Sequence, residues 1–399
     1  MQRAGIPLLI PTPFASGATP PYTNPIPTPS QIGIKNGAAS FTDGFPPLTF
    51  IPLSAGGAGP FGSDVNGLFN QITAGLQWQQ AGGPAIFSPV FQTLIGGYPA
   101  GAIVQSTLSF GLLWLSIVDN NLTNPDQSGA GWTPLARIRL STDATFYVTA
   151  AGGSDTNPGT QTLPWATLQH AANAIWNNYD LNGFNVTIQC SGAFTQGVSI
   201  TGAPIGVTVA FTQITFNFAA ASSVIPTNNQ PCFLAAGAAS FQITGPVLLQ
   251  APGNTPISGT ALYATPGSNI FASGIHFGAC GISHNFGNVI ITGSYTIQGG
   301  SLSHISVSGA GSIFQYSQVA GAIVVTLTGT PNFTSGFVLA VFGGQVVAFS
   351  SSVSFSGGGL GPRYTINTAA SVSTNGSGVN FFPGSSGGTV DGSTFGLYT

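Results

Sequence analysis

Side chains that could perform acid–base catalysis are almost absent from the second half of this 399-residue chain. Between Leu181 and Val390 there is no Asp or Glu, and the only charged side chain is Arg363. A glycosidase of the usual kind needs two carboxylates beside the scissile bond, and a calcium-dependent lyase needs carboxylate oxygens around its cation. We therefore predict no catalytic residue, no metal site and no bound cofactor.

The two carboxylates closest to this stretch lie in turn sequences. Asp155 belongs to Ser-Asp-Thr-Asn-Pro-Gly at 154–159, and Asp180 belongs to Asn-Asn-Tyr-Asp-Leu-Asn-Gly at 177–183. Asp side chains in such sequences hydrogen-bond the local backbone. Both are predicted to be structural, so a catalytic pair would have to come from another chain or from the ends of this one.

The remaining reactive side chains are few. They are the imidazoles of His170, His276, His284 and His304 and the thiols of Cys190, Cys232 and Cys280. His276, His284 or His304 could form a three-fold metal ring in a parallel trimer, but positions in a side-chain ladder or at the surface are favoured for them. His170 is expected at a helix surface. The thiols form no zinc motif and are predicted to be buried and reduced.

Aromatic side chains with a polar atom could stack on sugar rings at an exposed surface. The candidates are Trp176, Tyr263, Tyr295 and Tyr316. Nothing in the sequence places them on one face, so the receptor-binding residues stay unknown at this point.

The composition excludes several classes of protein. Charged residues make up 3% of the chain, against roughly 25% in an average globular domain. The net charge is −3 and Lys35 is the only lysine, so there is no basic face for nucleic acid. The hydrophobic content of 43% excludes a disordered chain. Such a protein must be solvated by uncharged polar groups, or bury much of its surface in an assembly.

No segment is predicted to enter a membrane or to direct secretion. The most apolar stretch, 102–118, contains several polar residues and is shorter than the roughly 20 apolar residues that a spanning helix needs. Pro7 and Pro11 interrupt the apolar residues at the start, where a signal peptide would need a longer unbroken run. We expect the chain to stay where it is made or to leave as part of a particle.

The elements that organise the chain begin at Phe146. Phe146–Val148 is a strand start, 154–159 is a turn, and Pro164 suits the first turn of a helix that runs to about residue 177. One face of this helix is apolar through Trp165, Leu168, Ala172, Ile175 and Trp176. We predict a cap helix, at about 164–177, over the open end of a stack of strands.

Short apolar runs follow about every 20 residues, separated by Gly, Asn, Pro or Ser. They are 186–188, 207–209, 214–218, 241–243, 247–249, 270–271, 289–291, 304–307, 323–327, 337–342, 346–349 and 364–366. The spacing predicts one turn of a parallel β-helix per repeat. An antiparallel sandwich is less favoured because a clear Asn-Gly hairpin signal is missing.

The segment from Tyr147 to Ala171 resembles the start of the right-handed parallel β-helix in bacteriophage tailspikes, tail fibres and related pectin-lyase-like proteins. The matching residues are Tyr147-Val148, Gly153-Ser154-Asp155, Asn157-Pro158-Gly159-Thr160 and 164–171, Pro-Trp-Ala-Thr-Leu-Gln-His-Ala. The resemblance implies a mainly β protein in which a small α+β anchor domain precedes a helix-capped right-handed parallel β-helix.

The preceding hundred residues carry a second resemblance, to the N-terminal domain of phage and prophage tail fibres. It rests on Ala39–Leu48, Asp64–Gly67, Trp78–Gly83, Ile95–Ala102, Trp114–Asn121 and Asn124–Asp126. Within them, Ser63-Asp64 is predicted to cap a helix that ends at Gln80 before Gly82-Gly83, and strands are predicted at Ala102–Val104 and Leu113–Val118. In that family this domain lies at the virion-proximal end.

Together these patterns predict five segments. They are a Pro-rich docking arm (1–35), a virion-proximal attachment domain (36–135), a neck with Arg137, Arg139 and Asp143 (136–145), the β-helix (146–380) and a closing segment (381–399). The resemblances imply a structural tail fibre or tailspike-like virion protein, made in the bacterial host cytoplasm. Its partners would be other tail proteins through residues 1–135, two further copies in a homotrimer, and a host surface glycan or protein. The alternative is a polysaccharide depolymerase, a glycosidase or lyase, on the same fold.

Overall fold

The computed structural model describes residues 8–109, 111–127, 129–208, 213–227, 230–252, 259–280, 282–285 by their backbone, 287–317 and 323–399. It is mainly β, with 34% strand and 13% helix. The helices are α1 (Gly62–Gln80), α2 (Pro89–Leu94) and α3 (Leu168–Asn178). Short 3₁₀ turns lie at Pro47–Phe50, Leu53–Ala55, Pro125–Gln127 and Gly392–Thr394.

The strands are short throughout. Up to residue 218 they are β1 (Ile103–Gln105), β2 (Leu113–Ser116), β3 (Trp132–Ala136), β4 (Ile138–Arg139), β5 (Ala144–Thr149), β6 (Tyr179–Asp180), β7 (Val186–Ser191), β8 (Ala193–Phe194), β9 (Val198–Thr201) and β10 (Ile214–Phe218). Up to residue 297 they are β11 (Ser222–Val224), β12 (Phe233–Ala236), β13 (Ser240–Thr244), β14 (Val247–Leu249), β15 (Thr260–Ala264), β16 (Asn269–Ala272), β17 (His276–Phe277), β18 (Ile282–Asn285), β19 (Asn288–Ile291) and β20 (Tyr295–Ile297). The last are β21 (Ser301–Ser308), β22 (Ile313–Tyr316), β23 (Ile323–Leu327), β24 (Phe333–Val341), β25 (Gln345–Val347), β26 (Val353–Ser356), β27 (Tyr364–Ile366), β28 (Ser371–Ser373), β29 (Thr389–Val390) and β30 (Leu397–Tyr398).

The chain forms two compact units. The first comprises Met1–Phe87 with Ile103–Gln105, and the second comprises Ser88–Ala102 with Ser106–Thr399.

The first unit is built around α1. The helix begins at Gly62, after Phe61. The prediction that Ser63 and Asp64 cap it is therefore wrong, because both residues lie inside its first turn. The buried Asp64 carboxylate instead accepts hydrogen bonds from Asn24 Nδ2 at 2.9 Å and from the Ala39 N–H at 2.8 Å. An acidic group in a first turn is also favoured by the helix dipole.

The Pro-rich arm follows one stripe of α1. Its described backbone, from Ile10 to Tyr22, is bound by α1 side chains spaced three and four residues apart, which are Asn66, Asn70, Thr73, Gln77 and Gln80. Residues three and four apart share a helix face, so one polar stripe holds an arm that has little regular structure of its own. Docking of the arm on another protein stays a prediction, and residues 1–7 lie outside the described part.

The second unit contains a parallel β-solenoid of about seven turns. Three sheets run along it, and the strands of each come from successive turns. One sheet has ten strands from β5 to β30, one has seven from β8 to β26, and one has eight from β9 to β29. The prediction of a mainly β fold with a parallel β-helix in the C-terminal part is confirmed.

Side chains alternate between the solenoid core and its surface. Strand β10 is typical. Its residues Ile214, Phe216 and Phe218 point inward, whereas Thr215 and Asn217 point outward. Parallel register places residues of one type above each other, so Phe216 stacks over Ile188 of β7 and under Ile243 of β13. Each turn thereby adds to one continuous apolar core.

The predicted runs correspond closely to strands. The runs 214–218, 247–249, 323–327 and 364–366 coincide with β10, β14, β23 and β27. The run at 207–209 is wrong for Val207 and Thr208, which lie outside strands, and Val209 lies outside the described residues.

The cap helix is shorter than predicted. It begins at Leu168, because Thr167 is its N-cap and accepts a hydrogen bond from the His170 N–H at 3.1 Å. Pro164 is therefore not in its first turn. The chain at Pro164 and Trp165 is instead bound beside β5, with the Trp165 N–H donating to the Tyr147 carbonyl at 2.9 Å. The predicted apolar face is confirmed for the four residues within the helix, which are all buried, whereas Trp165 is buried but precedes the helix.

The turn before the cap helix is organised by one carboxylate. Asp155 Oδ1 accepts from the N–H groups of Ala166 and Thr167 at 2.9 and 3.0 Å, and its Oδ2 accepts from the Thr167 hydroxyl at 2.7 Å. The structural role predicted for Asp155 is confirmed. The carboxylate orients the residue that caps α3.

We expect Asp155→Ala to lower the free energy of unfolding by about 2–3 kcal/mol, because two N–H groups lose their acceptor. Asp155→Asn keeps one acceptor oxygen and should lose about half as much. Chemical denaturation of both variants measures the difference. An Ala variant as stable as the parent protein would contradict this role.

The C-terminal segment continues two of the sheets. β29 pairs in parallel with β27, and β30 pairs with β28. Phe382 is buried against Phe337 and Phe355. The last residues thus lie over the distal turn of the solenoid.

Candidate functional site

A cleft of about 480 Å³ lies in the second unit, where the segment around β2 and β3 meets the cap helix. Its aromatic walls are Trp114, Trp132, Trp165 and Tyr179. None of these four residues was predicted to form a site. In the sequence, the only sign of this cleft is three tryptophans, Trp114, Trp132 and Trp165, spread over 51 positions. The fold brings these tryptophans together.

The indole rings are held by hydrogen bonds away from their faces. Trp114 Nε1 donates to Asp126 Oδ1 at 2.9 Å, Trp132 Nε1 donates to the Thr123 carbonyl at 3.0 Å, and Trp165 Nε1 donates to the Asn157 carbonyl at 2.8 Å. An indole N–H that is satisfied internally fixes the ring without using its face. The Trp165 ring is in addition stacked on Phe146, with 5.2 Å between the ring centroids, and Trp114 and Trp165 are only 8% and 4% exposed. Trp132 is therefore the indole that is partly exposed in the cleft.

The cap helix supplies the polar side of the cleft. His170, Asn173 and Asn177 are spaced three and four residues apart and therefore lie on one stripe of α3. Asn178 follows them, and within the described part of the chain its buried Oδ1 makes no hydrogen bond. Burial lowers the pKa of His170, against the opposing effect of the Asp155 charge. The predicted surface position of His170 is confirmed in part, since the residue is partly exposed but its ring packs edge-to-face on Trp165.

Two charged side chains of opposite sign line the described part of the cleft, Arg137 and Asp126. Arg137 Nη1 donates to the Trp176 carbonyl at 2.9 Å. Asp126 is fully engaged as an acceptor, since its Oδ2 also binds the backbone N–H and hydroxyl of Thr107 at 2.8 and 2.7 Å. The cleft is thus lined by amides and aromatic side chains more than by net charge.

The first unit offers a second candidate, an apolar surface. Val65, Phe69, Ile72 and Leu76 are spaced four, three and four residues apart along α1, which is the spacing of a coiled-coil seam. Phe69 and Ile72 are each 47% exposed and Leu76 is 45% exposed. We call these four residues the α1 seam. The arm lies on the neighbouring polar stripe and touches the seam through Phe14, whose ring packs edge-to-face on Phe69 at a centroid distance of 5.6 Å. Ile72 and Leu76 stay largely exposed beside it.

The other predicted residues are dispersed. Asp180 accepts from the Asn182 N–H and lies 3.8 Å from Arg139, in the short pairing of β4 with β6. In the same neck, Asp143 accepts from the Asn185 N–H at 2.8 Å. The charges of this segment therefore bind it to the first turn of the solenoid.

Three of the four aromatic candidates, Tyr295, Tyr316 and Trp176, are wrong as surface residues. Tyr295 and Tyr316 lie in the core, where the Tyr295 hydroxyl is 2.7 Å from His304 Nε2 and 2.8 Å from the Tyr316 hydroxyl. Trp176 is also buried, and Tyr263 is partly exposed on β15.

The three later histidines do not come together as a site. His304 is buried in the Tyr295 and Tyr316 cluster, whereas His276 bonds Thr296 on the seven-stranded sheet. The His284 side chain lies outside the described part. No group of three or more His, Cys, Asp or Glu side chains able to hold a metal ion occurs among the described residues. The three thiols are free and buried, as predicted.

None of the helices in the described ranges has both the length and the apolar character needed to cross a membrane. Comparisons of the chain with protein-family models, with curated proteins and with solved structures found no match.

Proposed function

We propose that this chain is a structural fibre protein of a bacteriophage particle. It attaches to the particle through residues 1–135, assembles from three copies, and projects the solenoid for host-surface adhesion or spacing. The sequence resemblances to tail fibres and tailspikes suggest that the particle is a bacteriophage and that three copies of the chain assemble. The chemistry of the chain supports a non-catalytic role, because carboxylates are missing from 182–389 of the sequence.

The observation that carries the proposal is the exposed apolar surface of the first unit. Among its described residues, the buried hydrophobic side chains are Ala38, Ala39, Phe87 and Val104. Its exposed ones include Ile34, Phe50, Leu53, Ile72 and Trp78. Monomeric soluble proteins rarely expose apolar surface on this scale. The unit therefore needs an assembly to cover it.

The α1 seam is the part of this surface best suited to other copies of the same chain. Apolar residues at heptad spacing on one helix match the same residues on a parallel copy. Asp64 is the only charged residue in α1, so charge repulsion between copies is confined to its first turn. Three α1 helices packed along their seams would bury Phe69, Ile72 and Leu76 together.

The test of assembly is the mass of the protein in solution, by light scattering after gel filtration. We expect a trimer for the parent protein and a monomer, or an aggregate with exposed apolar surface, for Ile72→Asp. Gln71→Asp places the same charge one residue away, outside the seam, and should stay trimeric. A monomeric parent protein, or an Ile72→Asp variant with unchanged mass, would contradict assembly through the seam.

The test of the particle is electron microscopy of virions labelled with an antibody against the solenoid. Label at the tail supports the proposal. Particles that lack the protein altogether would end it.

A further inference from the structure

The cleft beneath the cap helix has a chemistry that the proposed function does not use. One side is aromatic, with the partly exposed Trp132 beside the largely buried Trp114 and Trp165. The other side consists of side-chain amides on α3, from Asn173, Asn177 and Asn178. A ligand that fits must therefore offer apolar C–H faces and hydrogen-bonding groups at its edge at the same time.

The charges that line the cleft further restrict the class of ligand that can bind there. Asp126 already accepts three hydrogen bonds, and the lowered pKa of His170 leaves its ring neutral at pH 7. Arg137 is thus the one cation on the described walls, and one of its N–H groups is engaged by the Trp176 carbonyl. A polyphosphate or nucleotide would need several cations, and a purely apolar ligand would leave the amides without partners.

The size and the polar groups fit a small sugar. About 480 Å³ falls in the range of roughly 300–1,000 Å³ that is usual for small-molecule sites. Amide side chains both donate and accept, which suits hydroxyl groups that do the same. The buried Oδ1 of Asn178, which makes no bond within the described chain, would be satisfied by a hydroxyl donor.

We propose that this cleft binds a neutral saccharide of one or two rings, with a pyranose ring against Trp132 and its hydroxyl groups against the amides of α3. The inference goes beyond the proposed function and stands without it, because it depends only on the walls of the cleft. It places a glycan site at the proximal end of the solenoid, beside the neck.

Intrinsic fluorescence provides a direct test, because three of the five tryptophans of the chain line the cleft. The full-length protein is titrated separately with D-glucose, D-galactose, N-acetyl-D-glucosamine, their β-linked disaccharides and D-glucuronate. Saturation-transfer NMR on the same samples identifies which sugar protons contact the protein. We expect at least one neutral sugar to bind with a dissociation constant in the millimolar range, roughly 1–10 mM, and D-glucuronate to bind no more tightly.

Asn177→Ala should weaken that binding at least about five-fold, since it removes an exposed amide while alanine keeps the helix stable. Trp132→Phe, which keeps an aromatic wall but narrows it, should weaken binding similarly. Gln345→Ala, an exposed amide on the distant strand β25, is the matched control and should bind like the parent protein. Thermal melting shows that each variant is folded.

Two results would overturn the proposal. One is that none of the neutral sugars binds even at a sugar concentration 100-fold above about 1 mM. The other is binding that is unaffected by both cleft variants, which would place the sugar elsewhere. Tenfold tighter binding of D-glucuronate would refute the neutral class and indicate an acidic sugar held by Arg137.

Discussion

Replacing Phe216 with alanine is expected to lower the free energy of unfolding of the solenoid by about 3–5 kcal/mol. The side chain is fully buried in β10, and its ring centroid lies 5.6 Å from that of Phe233 and 5.7 Å from that of Phe241. These two rings come from β12 and β13, so the substitution opens a cavity between two sheets and two turns. The surrounding backbone is fixed by parallel pairing on both sides and can collapse only partly.

Guanidinium unfolding, followed by circular dichroism, measures this loss. Phe342→Ala is the matched control, because that ring is 63% exposed at the end of β24; its effect should stay below about 1 kcal/mol. The midpoint should fall for Phe216→Ala with little change in slope. Equal effects of the two substitutions would show that the apolar stack is not what stabilises the solenoid.

The strands of the solenoid could be predicted because every turn faces the same constraint. Each one must direct apolar side chains such as Phe216, Ile243 and Ile270 into the core, while its outward positions tolerate almost any uncharged residue. The result is a repeated apolar run without repeated identity. Local pattern is enough to find such strands, whatever their partners are.

Interactions between distant residues were not predictable in the same way. Tyr295, His304 and Tyr316 lie on strands of three different sheets, and their polar atoms meet only inside the core. A tyrosine hydroxyl with a buried partner is compatible with the core, but the sequence does not name that partner. Amphipathic character alone therefore suggested exposure, and this was wrong.

The start of the cap helix illustrates competition between local preferences. Pro164 is suited to a first helical turn, yet Thr167 is a better N-cap because its hydroxyl can accept a hydrogen bond. Asp155 decides between them, since it binds the two N–H groups just before the helix. That contact spans about a dozen residues and is visible only in the folded chain.

The candidate sites were harder to predict than the fold. The cleft combines side chains from Trp114 to Tyr179 that share no motif. The α1 seam, in contrast, could have been found from its heptad spacing, but the same helix also carries the polar stripe that binds the arm. A helix that carries a polar stripe bound to the arm beside an exposed apolar stripe gives a weak amphipathic signal, because its apolar residues are not packed in a core.

The stability of the second unit is expected to fall steeply above about pH 9, since three thiols are buried in its core. Burial raises the pKa of Cys190 and Cys232, and it raises the pKa of Cys280 to about 12. For Cys232 a smaller contribution comes from the neighbouring Cys280. The sulfur atoms of Cys190 and Cys232 lie 3.3 and 3.2 Å from the carbonyls of Ile188 and Val224, to which they donate.

The direction in which the free energy of unfolding changes with pH follows from the number of protons that the folded and unfolded states bind. An exposed thiol in the unfolded chain ionises near pH 8.5, whereas the folded state keeps its thiols protonated. Above about pH 8.5 the folded state therefore binds more protons than the unfolded state, and the free energy of unfolding decreases as pH rises. Each thiol contributes about 1.4 kcal/mol per pH unit in this window, so the three together reach about 4 kcal/mol per unit, until the folded thiols ionise in turn. Burial raises the pKa of Tyr295 and Tyr316 as well, which adds to the decline above about pH 10.

Urea unfolding in reducing buffer from pH 7 to pH 10.5 measures this decline. Typical domains are stable by only about 5–15 kcal/mol, so a loss of this size should bring the midpoint close to zero urea within two pH units of its onset. Cys190→Ala removes one of the three thiols and should reduce the slope against pH by about a third between pH 9 and pH 10, even though the variant starts from a lower stability. Ser377→Ala, at a partly buried hydroxyl near the C-terminus that does not titrate in this range, should leave the slope unchanged. A free energy of unfolding that stays level from pH 8 to pH 10, or a slope that Cys190→Ala does not alter, would mean that the thiols do not control the alkaline limit of this fold.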